Sequence, residues 1–84
     1  MSGPSAVTLY GKPGCCLCDE ARAVVARVRA AHPFVLEEVD ITCDPVLERR
    51  YRERIPVLVV DGEEAFQYRV DAEELTRRVA TVAR

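Results

Sequence analysis

Hydrophobic residues recur with two different periods along the chain, and the change of period predicts its elements. Residues 6–10 form a short, apolar, strand-favouring run that Gly11, Pro13 and Gly14 close. From Cys15 onward the apolar residues return every three or four positions, which is typical of an amphipathic helix. They are Leu17, Ala21, Val24 and Val28. His32-Pro33 ends this helix, because proline disfavours helical geometry in the residue before it.

The middle of the chain predicts a second strand followed by a second helix. Residues 34–41 are again rich in strand-favouring side chains. Asp44-Pro45 opens the helix, because aspartate caps helices and proline suits the first helical position. Leu47 and Tyr51 would form its buried stripe, and the helix is expected to end near residues 54–56.

The last part of the chain predicts a hairpin and a closing helix. Residues 57–60 are the most apolar segment, and Asp61-Gly62 is typical of a hairpin turn into a last strand at residues 64–68. Asp71, with an acidic residue three positions later, predicts the start of the final helix. The apolar face of that helix carries Leu75, Val79 and Val82.

The resulting order, β-α-β-α-β-β-α, predicts the fold class. A strand, a helix and another strand of these lengths predict a right-handed crossover between two parallel strands. The hairpin adds two antiparallel strands, so we expect a three-layer α/β/α sandwich around a four-stranded mixed sheet. The 84 residues form one domain, 1–84, with an ordered core of about 6–83. The periodicity leaves the order of the strands open.

Composition and charge exclude several classes of function. Twelve basic and fourteen acidic residues give a formal charge of −2, which leaves no broad basic surface for nucleic acid. The longest apolar run, at residues 57–60, is far too short to span a bilayer. The first six residues lack the charged start and apolar stretch of a signal peptide. We therefore expect a cytoplasmic protein that binds neither nucleic acid nor membranes.

Four cysteines in so short a chain indicate chemistry at sulfur. Cys15, Cys16 and Cys18 crowd into four positions, and Cys43 stands alone. A disulfide-stabilised secreted domain spreads its cysteines along the chain so that the bridges close several loops, which this arrangement does not allow. In a cytosolic protein such clustering is typical of redox or metal chemistry.

The position of the cluster favours redox chemistry. Disulfide exchange needs a thiolate, and the free N–H groups and positive dipole end of a helix N-terminus stabilise an anion there. Cys15 lies at that end of the first helix, and Cys18 lies one turn further on the same face, within reach of it. Lys12, the only lysine, could favour the thiolate further or attract a carboxylate; alternatively it is a solvated loop residue.

Two segments resemble a known family. Residues 10–21, Tyr-Gly-Lys-Pro-Gly-Cys-Cys-Leu-Cys-Asp-Glu-Ala, resemble the active-site segment of glutaredoxin-like proteins in the thioredoxin-like superfamily. The similarity is greatest to a small branch with the motif Pro-Gly-Cys-x-Leu-Cys-Asp-Glu-Ala. Residues 54–58, Arg-Ile-Pro-Val-Leu, resemble the segment around the cis-proline of thioredoxin-like folds. The resemblance implies a disulfide oxidoreductase that reduces protein or glutathione mixed disulfides, with Cys15 as nucleophile and Cys18 as resolving partner.

The resemblance also implies how substrates bind. Pro56 would be cis and lie against the two cysteines, and the backbone of Ile55 would pair with an extended substrate segment. Lys12 and Asp71 match a glutathione site, and Arg54 is within reach of the glutathione carboxylate. No cofactor is expected to be resident; glutathione is a candidate co-substrate, and a reductase is the alternative source of electrons.

One segment departs from the family pattern. Glutaredoxins that use glutathione usually carry a Gly-Gly pair just before the aspartate of the last helix, where this chain has Tyr68-Arg69-Val70. Glycine allows close approach of a ligand to the backbone, and tyrosine and arginine do not allow it equally. The departure bears on the reductant and leaves the fold and the dithiol chemistry unaffected.

The two cysteines outside the pair, and the rival functions of the chain, carry predictions of their own. Cys16 should point away from the working pair as a tolerated small residue, with a second exposed thiol open to oxidation or glutathionylation as the alternative. Cys43 should be a partly buried small apolar residue, with a regulatory or extra resolving thiol as the alternative. No metal site is expected. The rivals are four thiolates holding zinc, for which only one of the usual two ligand pairs exists, or an iron–sulfur cluster shared between two subunits. A redox-silent adaptor is a third possibility, although we expect an active monomer.

Overall fold

The two inner strands of the four-stranded sheet each have a partner on both sides in the computed structural model. The structure describes residues 5–82, and residues 80–82 through their backbone. The elements are β1 (Ala6–Gly11), α1 (Cys16–Ala31), β2 (Val35–Asp40), a 3₁₀ turn (Ile41–Cys43), α2 (Pro45–Tyr51), β3 (Val57–Val60), β4 (Glu63–Gln67) and α3 (Ala72–Val82). The predicted order of strands and helices is confirmed.

The sheet is mixed, and its strands lie in the order β2-β1-β3-β4. β1 runs parallel to β2, with Ala6 opposite Val35. β3 runs antiparallel to β1, with Tyr10 opposite Val57, and β4 returns antiparallel to β3. The predicted pair of parallel strands and the antiparallel hairpin are therefore both present, and the order that the periodicity left open places β1 between β2 and β3.

Successive side chains of β1 and β3 point to opposite faces of the sheet, so the hydrophobic core has one part on each face. Val7 and Leu9 lie on the face covered by α1 and α3, and Tyr10 lies on the face covered by α2. The first cluster consists of Val7, Leu9, Ala21, Val25, Val28, Phe34, Leu58, Val60, Leu75 and Val79. The second consists of Cys18, Ile41, Tyr51, Ile55 and Val57. Two buried faces explain the near-continuous apolar run of β3.

Aspartates begin the second and third helices, as the sequence predicts. Asp44 accepts a hydrogen bond from the backbone N–H of Val46 at 2.9 Å. Asp71 accepts from the N–H groups of Glu73 and Glu74 at 2.9 and 3.3 Å. Each cap satisfies N–H groups that the helix itself leaves without partners.

Several element boundaries differ from the expectation. β2 is one residue shorter at each end than residues 34–41. α2 ends at Tyr51 and not near residues 54–56, because the buried Tyr51 is followed by a turn in which Arg54 N–H donates to the Tyr51 carbonyl at 2.7 Å. The last strand ends at Gln67, since Tyr68 takes a left-handed φ of 71° that no strand continues. The Val82 side chain and residue 83 lie outside the described part of the chain.

Within residues 5–82, none of the helices is both long enough and apolar enough to cross a bilayer.

The close approach of β1 to α1 predicts the effect of a single methyl group. A Cβ atom at Gly11 would lie 2.9 Å from the sulfur of Cys18 and 3.3 Å from its Cβ. We expect Gly11→Ala to lower the free energy of unfolding by about 1–3 kcal/mol, as overpacking does. Urea denaturation would measure this loss. The loss should be smaller in a Cys18→Ala background, where the sulfur is absent; an equal loss in both backgrounds would contradict the explanation.

Candidate active site

Cys15 is the N-cap of α1, so its sulfur lies at the positive end of the helix. The backbone there is extended, with φ −98° and ψ 115°, and the Sγ atom accepts a hydrogen bond from the N–H of Cys18 at 3.3 Å. This is the contact that an N-cap side chain makes with the first turn. The side chain is half-buried and the thiol is free. The predicted position of Cys15 at the mouth of the helix is confirmed.

Cys18 lies beneath Cys15 and is fully buried. The pKa of its thiol is raised to about 11, mainly because burial deprives the charged form of its hydration and also because the thiol is hydrogen-bonded to the Cys15 side chain. Two groups act in the opposite direction, the backbone N–H of Lys12 and the guanidinium of Arg22. The Cys18 thiol therefore stays protonated at neutral pH in the reduced protein.

The packing of α1 against the end of β1 explains the depth of Cys18. Gly11 has no side chain, so its backbone approaches the sulfur closely. Although Cys18 belongs to α1, it packs with Ile41, Tyr51, Ile55 and Val57 in the second core cluster, and Cys15 packs against the rim of that cluster. The two thiols thus lie one above the other at the end of the sheet.

The proline segment adjoins the thiols. The Ile55–Pro56 bond is cis, as the resemblance implies, and both residues are buried. Ile55 contributes to the cluster that contains Cys18. The carbonyl of Pro56 accepts a hydrogen bond from the N–H of Tyr68 at 2.9 Å, and the Tyr68 hydroxyl donates to the carbonyl of Glu53 at 2.9 Å. One tyrosine therefore holds both ends of this segment.

Tyr68 stands in the stretch where the resemblance leads one to expect glycine. Its φ of 71° lies in the left-handed region that favours glycine, so the backbone shape is present without the residue type. Arg69 next to it forms an ion pair with Glu20 of α1 at 3.6 Å. A cavity of about 210 Å³ lies here, lined in part by Leu17 and Val70. Side chains thus occupy space that a glycine pair would leave open.

The side chains of the remaining predicted binding residues make other contacts or are exposed to solvent. Arg54 forms an ion pair with Glu64 on β4, with nitrogen–oxygen distances of 2.9 and 3.4 Å, and its guanidinium lies 5.2 Å from the Tyr51 ring centroid. Asp71 is occupied in capping α3. Lys12 is exposed, and it lines a cavity beside Cys18 rather than one beside Cys15. The structure brings together the cysteines and the proline segment.

Two features of the site were not predicted from the sequence. The rings of Tyr10 and Tyr51 stack with centroids 4.5 Å apart and form a wall of the second cluster. Arg22 contributes positive charge near Cys18. A signal for Arg22 was present, because it follows Cys18 by four positions and such residues are neighbours on a helix surface.

The other two cysteines lie outside the pair. Cys16 is exposed, which confirms that it points away. Cys43 is also exposed, so the expectation of a partly buried residue was wrong. The 3₁₀ turn explains the error, because Ile41 takes the buried position and turns the following residues outward. In the described part of the chain, no three His, Cys, Asp or Glu side chains are placed together to hold a metal ion.

Comparisons with known proteins agree with this geometry. The model of the glutaredoxin-like domain family (DUF836) matches residues 6–80. A protein of Dictyostelium discoideum described as glutaredoxin-like is 28% identical over 86 residues, which cover 93% of this chain and 78% of that protein. The solution structure of Ne2328 from Nitrosomonas europaea has a TM-score of 0.79 at 28% identity, over 94% of this chain and 95% of its own.

A more distant comparison concerns the fold alone. A thioredoxin mutant from Halobacterium salinarum has a TM-score of 0.71 at 18% identity, over 98% of this chain and 77% of its own. The architecture is therefore that of the thioredoxin-like α/β class, as the resemblance implies. Within that class, the chain belongs to the glutaredoxin-like domain family (DUF836).

The different environments of the thiols predict different rates of alkylation. At neutral pH, iodoacetamide should modify the exposed Cys16 and Cys43 and the half-buried Cys15 well before Cys18, because burial limits access and only the thiolate reacts. Modification of Cys18 should accelerate as the pH rises towards its pKa of about 11. Mass spectrometry of digested samples gives the order. Modification of Cys18 at the rate of Cys16 at pH 7 would contradict the described burial.

Proposed function

We propose that the protein is a thiol–disulfide oxidoreductase in which Cys15 is the nucleophile and Cys18 resolves the mixed disulfide. The observation that carries the proposal is the arrangement of the two cysteines. The Cys15 sulfur lies at a helix N-terminus and accepts a hydrogen bond from the Cys18 N–H at 3.3 Å, and the Cys18 thiol is buried beneath it. The family and the thioredoxin-like fold support a redox role. The half-buried sulfur is the one that a substrate can reach.

The first step forms a mixed disulfide. The Cys15 thiolate attacks one sulfur of the substrate disulfide; a new sulfur–sulfur bond forms at Cys15 and the substrate bond breaks. The departing sulfur leaves as a thiolate and takes a proton from solvent. The N–H of Cys18 and the end of the α1 dipole face the Cys15 sulfur while it carries negative charge.

The second step releases the reduced product. Cys18 loses its proton and attacks the Cys15 sulfur, so the substrate leaves as its second thiol and the enzyme holds a Cys15–Cys18 disulfide. Two electrons have then passed from the dithiol to the substrate. A thiol or dithiol reductant must return them before the next cycle.

Serine substitutions separate the two roles. Cys15→Ser should abolish the insulin reduction that the protein adds to that of dithiothreitol alone, because the attacking thiol of the pair is lost. Cys18→Ser should accumulate a mixed disulfide on Cys15, visible by mass spectrometry without reducing agent. Cys16→Ser is the matched control and should retain activity, since that thiol is exposed and outside the pair. Activity in Cys15→Ser, or no trapped adduct with Cys18→Ser, would contradict the assignment.

The substrates that we propose are protein disulfides or glutathione mixed disulfides in the cytosol, bound along the Ile55–Pro56 segment by a monomer. Ile55 packs in the cluster that contains Cys18, and Cys15 packs against the same cluster; this proximity to the thiols supports the segment as the docking edge. Recycling can come from glutathione or from a dithiol reductase. Tyr68 bears on that choice, since its ring occupies the place of the family's glycine pair.

Removing the Tyr68 ring should favour glutathione. We expect Tyr68→Gly to increase several-fold the rate of hydroxyethyl-disulfide reduction with glutathione, because glycine keeps the left-handed backbone and frees the space. Tyr68→Phe is the control, since it loses the hydrogen bond to Glu53 and keeps the ring. The rate with thioredoxin reductase should not rise in either variant. Equal glutathione rates in all three proteins would show that the ring does not limit recycling.

A further inference from the structure

A cavity of about 420 Å³ lies behind Cys18, between the first turns of α1 and the end of β2. The buried thiol forms part of its wall. The charged residues that line it are Lys12, Arg22, Glu38 and Asp40. A fully buried sulfur therefore borders a space with charged walls.

The resolving step makes an unusual demand on this sulfur. In the proposed cycle Cys18 must lose a proton before it attacks Cys15, yet burial disfavours the charged form and raises its pKa. A positive charge near the sulfur offsets part of that cost, even when, as for Arg22, the side chain that carries it is 45% exposed. The cavity is where such a charge can act on Cys18 without blocking the path between the two thiols.

Arg22 is fixed at this position by two carboxylates. It follows Cys18 by four residues, so the two side chains are neighbours on one face of α1. Its Nε donates to Glu38 of β2 at 2.9 Å, and its terminal nitrogen donates to Asp19 at 2.8 Å. The pair with Glu38 connects the helix to the edge strand, so the guanidinium is held at the cavity wall from two sides.

The other charged or titratable groups around Cys18 differ from Arg22 in position or sign. Lys12 offers its backbone N–H to the sulfur, and its ammonium is on an exposed loop. Asp40 of β2 is occupied by hydrogen bonds from Thr42. The rings of Tyr10 and Tyr51 belong to the part of the second cluster that surrounds Cys18, and Cys15 lies above Cys18. Arg22 is the cation on α1 whose field reaches the thiol.

We propose that Arg22 is a positioning residue for the resolving step: held by Glu38 and Asp19, its guanidinium stabilises the Cys18 thiolate that displaces the substrate. The inference rests on the proposed function. The proton of Cys18 passes to water in the cavity, the Cys18–Cys15 bond forms, and the bond from Cys15 to the substrate breaks. The departing substrate sulfur takes a proton from solvent, so charge and atoms balance.

Two variants that break the same ion pair should have opposite effects. Arg22→Met removes the cation and leaves two carboxylates near Cys18, so it should slow resolution. Glu38→Gln removes a negative charge, leaves the cation and keeps a side-chain oxygen that can accept from Arg22 Nε, so resolution should be as fast as in the parent or faster. A purely structural role of the Arg22–Glu38 ion pair predicts that both variants are slower, since both lose the ion pair.

Stopped-flow reaction with dithiodipyridine measures the step in a Cys16→Ser/Cys43→Ser parent, so that two thiols remain. This uncharged aromatic disulfide releases a coloured thione twice, first when Cys15 attacks and then when Cys18 resolves. A tenfold change in thiolate population changes the rate by about threefold, because nucleophilicity falls together with the thiol pKa. We expect the second phase of Arg22→Met to be about threefold slower at pH 7, with its pH profile displaced to higher pH.

Controls decide between the outcomes. Arg22→Lys keeps the charge and should restore most of the rate, and Arg27→Met removes an exposed arginine of α1 and should leave both phases unchanged. Should Arg22→Met fold poorly in thermal denaturation, Arg22→Gln replaces it. A slower Arg22 variant with an unimpaired Glu38→Gln supports the proposal; equal slowing of both, or no change in the Arg22 variant, overturns it. A parent without two phases would instead overturn the proposed function.

Discussion

The hydrogen-bonded contact between Cys15 and Cys18 at the start of α1 is the constraint on which the surrounding structure depends. It requires an extended N-cap residue, a helix that begins at the next position, and a second sulfur buried one turn later. Cys18 can be buried because Gly11, at the end of β1, has no side chain to occupy the space of its sulfur. The apolar residues of the second core cluster pack around Cys18. The sheet order gives β1 a partner on each side, so the contact lies at the end of an inner strand.

Local chemistry made much of the fold predictable. Asp71 caps the last helix because its carboxylate finds N–H groups two and three residues later, a relation contained in a few residues. Asp61 and Gly62 both take positive φ in the hairpin turn, which is the conformation their residue types favour. Cys15 at the helix mouth follows from the change of hydrophobic period alone. The cis geometry at Pro56 came from the resemblance and not from periodicity.

Long-range pairing could not be predicted in the same way. Arg54 lies beside Glu64 because β3 and β4 pair with a register shift near Leu58, and no pattern within either segment contains that register. The left-handed Tyr68 contradicts its residue type, since a bulky side chain disfavours positive φ. The exposure of Cys43 depended on which residue of a short turn faces the core. For Arg54, Tyr68 and Cys43 alike, contacts between distant parts of the chain decide the position, and the preferences of the local sequence do not.

The segment before and through the cis-proline is attached to the following hairpin at three points. Arg54 is bound to Glu64, the Pro56 carbonyl to the Tyr68 N–H, and the Glu53 carbonyl to the Tyr68 hydroxyl. A loop held in this way has little conformational freedom left to lose when another chain lies along it. Ordering of the binding surface would then add little to the entropic cost of association, so affinity would depend mainly on the partner's own flexibility.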